Sequence, residues 1–355
     1  MKKKAPAVSK GSLLKDVRRM IEETRSAVAV TVNAGLTMLY WKVGKRIYEE
    51  ILKGKRAGYG ERIVATLSQE LSREYGQGFN YSSLTRMVRF AEVFPDIEIV
   101  ATLSRQLGWS HFKELLPLEK PFQCDFYAEM CKLERWSVRT LRDKISGMLY
   151  ERTAISRKPE KVIRHELDTL RSSHRMTPDL VFKDPYILDF LGLKDRYIEK
   201  DIEDAILREM ESFILEMGAD FAFLARQKRI TVDHDDYYLD LLFFHRGLKR
   251  LVVIELKLGD FKPADKGQME LYLRWLQKHE AKAGEGAPIG LILCAGKKHE
   301  TVELLELEKS GIRVAAYMTE LPSRKVLERT LHKAIEHARQ RLEYRLPEPK
   351  GRRKS

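Results

Sequence analysis

The chain has 355 residues, 43% hydrophobic and 33% charged, with a net charge of +13. That length suits two domains, each able to bury its own core, and the composition excludes wholesale disorder. No apolar run is long enough to cross a membrane.

The start, Met1-Lys2-Lys3-Lys4-Ala5-Pro6, is basic with no apolar stretch behind it, so no secretory signal is expected and a cytoplasmic location is. Residues 1–160 hold 29 Lys and Arg against 19 Asp and Glu, which is +10 and leaves +3 for the rest. Attraction to a polyanion should therefore reside mainly in this half, with a small addition from the basic tail at 346–355.

From Leu13 to about Arg157 the apolar spacing predicts helices and no strands. Ala29, Val32, Leu36, Leu39, Tyr40 and Val43 form one stripe, with a C-cap or kink expected at Gly44. Ile63, Leu67 and Leu71 mark a second helix ending near Gly76 and Gly78. Ser82 is the expected N-cap of a third, at 84–94, which Pro95 ends. Helix, glycine turn, helix is compatible with a helix-turn-helix or winged helix. Arg86 and Arg89, near Asn80, Tyr81 and Thr85, are the nucleic-acid-binding candidates. Cys124, Cys131 and Cys294 lack the C-x-x-C spacing of zinc or redox sites and read as core thiols; Cys124 and Cys131, seven apart, form a zinc pair only as the lesser alternative.

Turn signals at Thr177-Pro178-Asp179 and Lys183-Asp184-Pro185 put a linker at 161–180, between a helical domain at 1–160 and a second domain at 181–345. Here the grammar changes. An amphipathic helix at 201–217 should be followed by strands at 221–232, 237–245 and 251–258, a helix at 263–279 and a buried strand at 289–295. A helix at 300–309, a strand at 312–317 and a helix at 324–344 close the domain. The class is α/β with a mixed sheet. Val326, Leu327, Leu331, Ile335 and Ala338 stripe the last helix; packing on its own sheet is the expected use, and a homodimer interface is the alternative.

The segment 240–257 reads as a hairpin with a two-residue type II′ turn at Gly247-Leu248. Residue i then faces residue 495 minus i, so Asp240 falls opposite Glu255, and Lys257 shares their face. Two opposed carboxylates inside strongly apolar strands repel and are costly to bury. A divalent cation removes that conflict, and carboxylate oxygens with open water positions suit Mg²⁺ or Mn²⁺ acting on a phosphate ester. Lys257 would orient water or stabilise developing charge.

Asp240, the triplet Glu255-Leu256-Lys257 and the α-β-β-β-α-β order resemble the PD-(D/E)XK, or restriction-endonuclease-like, nucleases. Gln268 and Tyr272, four apart on the following helix, match the Gln-x-x-x-Tyr pattern of several branches. The whole chain, from about residue 12 to 345, is similar to the YhcG-like family, which pairs an all-helical N-terminal domain with such a nuclease domain. Leu39-Tyr40-Trp41-Lys42-Val43-Gly44-Lys45-Arg46-Ile47, Trp109-Ser110-His111-Phe112, Trp136-Ser137-Val138, Tyr150-Glu151-Arg152 and Asp184-Pro185-Tyr186-Ile187-Leu188-Asp189-Phe190-Leu191 carry that likeness. The resemblance implies an endodeoxyribonuclease acting in DNA processing or defence, with RNA an alternative substrate and a catalytically silent DNA-binding fold the rival reading. It also implies Asp240 and Glu255 as metal ligands and Lys257 as the catalytic lysine. A further acid is expected from the helix before the first strand: Glu203 first, Glu211 in reserve, Glu209 third.

Overall fold

The computed structural model describes residues 10–53, 59–192, 198–218, 220–319 and 323–345. They fall into two compact units that divide between Lys144 and Ile145.

The first unit is helical: α1 (Lys10–Lys53), α2 (Tyr59–Tyr75), α3 (Tyr81–Val93), α4 (Ile97–Ser104), α5 (Trp109–Leu115), α6 (Pro121–Glu134) and most of α7 (Val138–Ser146). Among its described residues there is no strand, so the hairpin of a winged helix is not formed; no segment here has the period-two alternation a strand needs. The expected break at Gly44 is also absent, because α1 runs on to Lys53. A Cβ on Gly44 would lie 1.8 Å from the Met87 carbonyl oxygen, so this glycine serves the close approach of α3 to α1. Tyr40, Val43, Ile47 and Ile51 repeat at helical spacing and pack with Val64, Leu84 and Met87. Helix α3 starts earlier than expected. Its cap is Asn80, whose side chain accepts from the Ser83 N–H at 2.8 Å, a role for which Asn ranks with the best.

The tryptophan-containing pieces are core. The Trp41 indole donates to the Phe94 carbonyl at 2.7 Å. The Trp109 ring lies 5.2 Å from Tyr40 and 5.4 Å from Phe90. His111 accepts from the Gly108 N–H through Nδ1 and reaches the Trp136 carbonyl at 3.1 Å through Nε2, which fixes the ring proton on Nε2.

The second unit contains α8 (Leu149–Arg152), α9 (Glu160–Ser173), α10 (Pro178–Val181), β1 (Tyr186–Ile187), α11 (Glu199–Arg208), α12 (Met210–Met217), β2 (Phe221–Val232), β3 (Asp235–His245), β4 (Arg250–Asp260), α13 (Pro263–His279), β5 (Ile289–Gly296), α14 (His299–Leu304), β6 (Ile312–Met318) and α15 (Arg324–Arg345). The segment read as a linker at 161–180 is therefore mostly α9 and α10, since Ile163, Leu167 and Leu170 form a buried stripe that a linker would not have. The single helix expected at 201–217 is two. Glu209 breaks it with φ −105° and ψ 32°, and each short helix buries its own residues, Ile202, Ala205 and Ile206 in α11, Phe213 and Met217 in α12.

The six strands lie in the order β1-β6-β5-β4-β3-β2, parallel from β1 to β4 and antiparallel from there to β2. Ile230, Leu242, Val253 and Ile292 belong to a core shared with Met269, Tyr272 and Leu276 of α13. Leu327 and Leu331 of α15 are buried with Met148, so these positions of the stripe considered for a homodimer are used within this unit; Val326 is 51% exposed, and the side chain of Ala338 lies outside the described residues.

The Tyr150-Glu151-Arg152 and Asp184-Pro185-Tyr186 pieces meet in a buried ionic layer under β1. Arg152 donates to Glu216 at 2.5 Å, and Glu216 also accepts from the Ile187 N–H. Asp184 binds Arg157 and Lys297, each at 2.6 Å, and accepts from the Ala316 N–H at 3.0 Å. Burial alone would raise the Asp184 carboxyl, yet the charges of Lys297 and Arg157 hold it at about 2.

Candidate active site

The β3–β4 hairpin pairs from His245↔Arg250 to Leu241↔Ile254, the register expected from the sequence. Its turn is different. Residues 246–249 form the loop, closed by the Lys249 N–H on the Arg246 carbonyl at 3.3 Å, and the left-handed residue is Lys249 with φ 52°. A Cβ at Gly247 would come within 2.6 Å of an Asp220 oxygen, so Gly247 is there for clearance. Both loops centre on the same point, and the register survives.

Beyond Leu241↔Ile254 the two strands part, at the position where Asp240 faces Glu255. Their side chains replace the missing ladder. The Asp240 N–H donates to Glu255 Oε1 at 3.2 Å, and the Leu256 N–H donates to Asp240 Oδ2 at 2.9 Å. Strand β4 continues instead along β5, through Glu255↔Ile292 and Lys257↔Cys294. Lys257, two residues on and hence on the same face, brings Nζ within 3.6 Å of Glu255 Oε2.

Glu255 is only 3% exposed. Burial, then the charge of Asp240, pushes its carboxyl up to about 8, and burial raises Asp240 as well. Two acids so placed are short of positive charge, with one lysine beside them.

Glu203 is buried on α11, while Glu209 and Glu211 are exposed. Its Oε1 accepts from Arg226 at 2.5 Å and its Oε2 from the Gln227 amide at 3.2 Å. That same amide donates to Asp240 Oδ1 at 3.0 Å, so Gln227 links the two acids. Gln227 has φ 44°, a left-handed conformation inside a strand. Arg226↔Leu241 and Lys228↔Leu239 flank it, which puts it across from Asp240. Neither Arg226 nor Gln227 belongs to a motif, and no signal in the sequence marks them.

Gln268 and Tyr272 stand one step back. The Gln268 amide donates to the Tyr272 hydroxyl at 2.6 Å, which donates to the Tyr238 carbonyl at 3.3 Å, two residues before Asp240. They grip the strand that carries Asp240. In the first unit, Arg86 and Arg89 lie on the exposed face of α3, opposite Leu84, Met87 and Phe90, and Arg89 pairs with Glu92 at 2.8 Å.

Among the described residues, no group of three or more His, Cys, Asp or Glu side chains forms a ready metal cage. The donor set at the fork is two carboxylates, all oxygen. This fits Mg²⁺, which usually takes one or two protein carboxylates and keeps several waters. All three cysteines are buried, and burial pushes the Cys131 thiol up to about 12 and the Cys294 thiol to about 11. No helix among the described residues is long and apolar enough to cross a membrane.

Residues 179–332 match the YhcG PDDEXK nuclease domain, and residues 16–152 match the DUF1016 N-terminal domain. The chain is 32% identical over 347 residues to the Escherichia coli (strain K12) protein named "Putative nuclease YhcG", covering 87% of this chain and 90% of that one. Similar solved structures include the crystal structure of a repair endonuclease from Pyrococcus abyssi, at 22% identity and a TM-score of 0.24, over 36% of this chain and 50% of that one. The structure of EndoMS in apo form is 18% identical with a TM-score of 0.25, over 36% of this chain and 48% of that one. The chain thus spans about half the length of each of these two structures. Near-complete coverage of YhcG, together with matches to both of its domains, means that this chain belongs to the YhcG-like family of PD-(D/E)XK nucleases.

Proposed function

We propose that this chain is a Mg²⁺- or Mn²⁺-dependent endonuclease that cuts DNA at the fork between β3 and β4. The observation that carries this reading is the pair of acids, Asp240 and Glu255, meeting where the ladder opens, with Lys257 beside them.

Asp240 and Glu255 would hold the ion. When bound, it would lower the pKa of a water and neutralise charge on the scissile phosphate. Glu203, tied to Asp240 through Gln227, extends the acidic wall. Lys257 orients the attacking water and offsets negative charge that grows on the phosphate in the transition state. Gln268 and Tyr272 are positioning residues that hold β3. The N-terminal helices, where the positive charge is concentrated, hold the DNA backbone, with Arg86 and Arg89 as contacts.

Purified protein with Mg²⁺ or Mn²⁺ is expected to nick plasmid or branched DNA, and Asp240→Ala or Lys257→Ala to abolish this, a loss of at least about 10²-fold for a group acting in the transition state. Cutting that survives both substitutions would sink the assignment. Matched RNA and DNA substrates digested side by side decide the substrate class, and binding without cleavage over a broad panel would favour a silent nuclease fold.

A further inference from the structure

Between Ile21 and Leu39, α1 exposes apolar side chains that no neighbour among the described residues receives. Residues 26–41 contain no Asp, Glu, Lys or Arg. Val28, Val30 and Val32 are 57%, 47% and 54% exposed, and Ile21, Leu36 and Leu39 are exposed too. The threonines add to this face, since Thr24 and Thr31 turn their hydroxyls back onto the Met20 and Ala27 carbonyls at 2.8 and 3.0 Å. Contacts of α1 with the core of its unit come from its second half, through Tyr40, Val43, Ile47 and Ile51. A helix this apolar around its circumference is one that an assembly buries.

The chemistry of the face selects its occupant. A polyanion finds no cation between residues 26 and 41. The segments of this chain outside the described residues, such as 1–9, 54–58 and 346–355, are rich in Lys, Arg, Gly or Pro and hold no apolar run to cover it. A second copy of α1 does complement it. Along one face, from Arg18 to Glu49, residues recur at steps of three or four, averaging close to the 3.5-residue spacing of a helix–helix seam. Laid antiparallel so that residue i meets residue 67 minus i, that face maps onto itself: Val28 meets Leu39 and Val32 meets Gly35. Arg18 then meets Glu49, and Glu22 meets Lys45. The like-charged apposition, Arg25 with Lys42, has Glu22 at 3.8 Å from Arg25 to relieve it. At the centre, a Cβ on Gly35 would have nothing within 4 Å, which leaves room for a second backbone to come close. Such a self-complementary patch is what a two-fold dimer requires.

We propose that this chain is a homodimer in which α1 of one protomer packs antiparallel on α1 of its partner, about the point between Val32 and Gly35. This is independent of the nuclease reading. Light scattering on the full chain at micromolar concentration should give about twice the 41.4 kDa chain mass. The double variant Val28→Glu/Val32→Glu alters exposed positions only; it should keep its helical circular dichroism and return to the single-chain mass. Arg18→Glu should weaken the dimer roughly twofold to tenfold, as expected of two symmetry-related surface ion pairs. Adding Glu49→Arg should restore it.

Orientation is read by cross-linking. A Val28→Cys chain mixed with a Leu39→Cys chain should form a disulfide-linked dimer that neither forms alone, the native cysteines being buried. A monomeric wild type, a dimer indifferent to Val28→Glu/Val32→Glu, or cross-linking of Val28→Cys with itself would each overturn the proposal.

Discussion

Asp240 and Glu255 each accept a main-chain N–H that an ordinary ladder would have paired, and Gln227 supplies the remaining contact on Asp240. The amide of Gln227 is shared by Glu203, so one side chain sets the spacing of two acids. Outer partners of this kind typically change metal affinity about 10- to 100-fold when removed. Gln227→Gly removes the amide while keeping a residue suited to φ 44°, so backbone strain does not confuse the result. Calorimetric titration with Mn²⁺ is expected to show roughly tenfold weaker binding, with a smaller loss of cutting rate at saturating metal. Unchanged affinity would mean that Gln227 does not position the acids.

What the sequence made legible, and what it hid, divides cleanly at this site. Asp240, Glu255 and Lys257 follow from a period of two and a hairpin register. Gln227 does not, because a bulge between Phe223 and Ala225 shifts β2 by one residue and reverses which side chains face Asp240. The sequence ranks Glu203 ahead of Glu211 and Glu209; the structure buries Glu203 and exposes the other two, with a break at Glu209 that helical periodicity alone does not reveal.

At the scale of elements, the fold depends on two close contacts. Helices α1 and α3 touch through backbone at Gly44, and Gly44→Ala forces a methyl against the Met87 carbonyl. The helices must separate or bend, at a cost of about 3 kcal/mol by comparison with other overpacked cores. Thermal unfolding followed at 222 nm should show the loss. A stability equal to wild type would mean that the contact relaxes freely.

The second contact closes the β3–β4 hairpin. His245 is 2% exposed, and its Nδ1 accepts the Leu248 N–H at 3.0 Å. Burial pushes the imidazole down to about 4, against the weaker opposing pull of Asp220. The unfolded chain, with an ordinary imidazole near 6.5, binds a proton before the folded one does. The contribution of His245 to stability therefore falls as pH drops from about 6.5 to about 4, by up to about 1.4 kcal/mol per pH unit, and is level above that window. His245→Asn keeps an acceptor but cannot titrate, so its melting temperature should lose this contribution to the pH slope. Parallel slopes for the two proteins would count against the assignment.

For the molecule as a whole, positive charge is concentrated in the N-terminal part of the sequence. The helical unit, residues 1–144, carries +9 of the total +13, while Asp240 and Glu255, the proposed metal ligands, lie in the other unit, where added positive charge would compete with a metal for them. On the proposed reading, binding and cutting belong to different parts of one chain, and they should separate experimentally. Each phosphate neutralised by a cation contributes about −0.9 to the slope of log affinity against log salt. Arg86 is exposed on α3, whereas Arg89 already has Glu92 as a partner and must give it up to bind phosphate. Arg86→Ala is therefore expected to lower the slope by about one and Arg89→Ala by less, with affinity falling evenly across DNA sequences. Lys257→Ala should leave the slope nearly unchanged while removing cleavage. Fluorescence anisotropy of a labelled duplex over a salt series, in EDTA to prevent cutting, measures all three. A slope that drops for Lys257→Ala and not for Arg86→Ala would place the DNA on the nuclease unit instead.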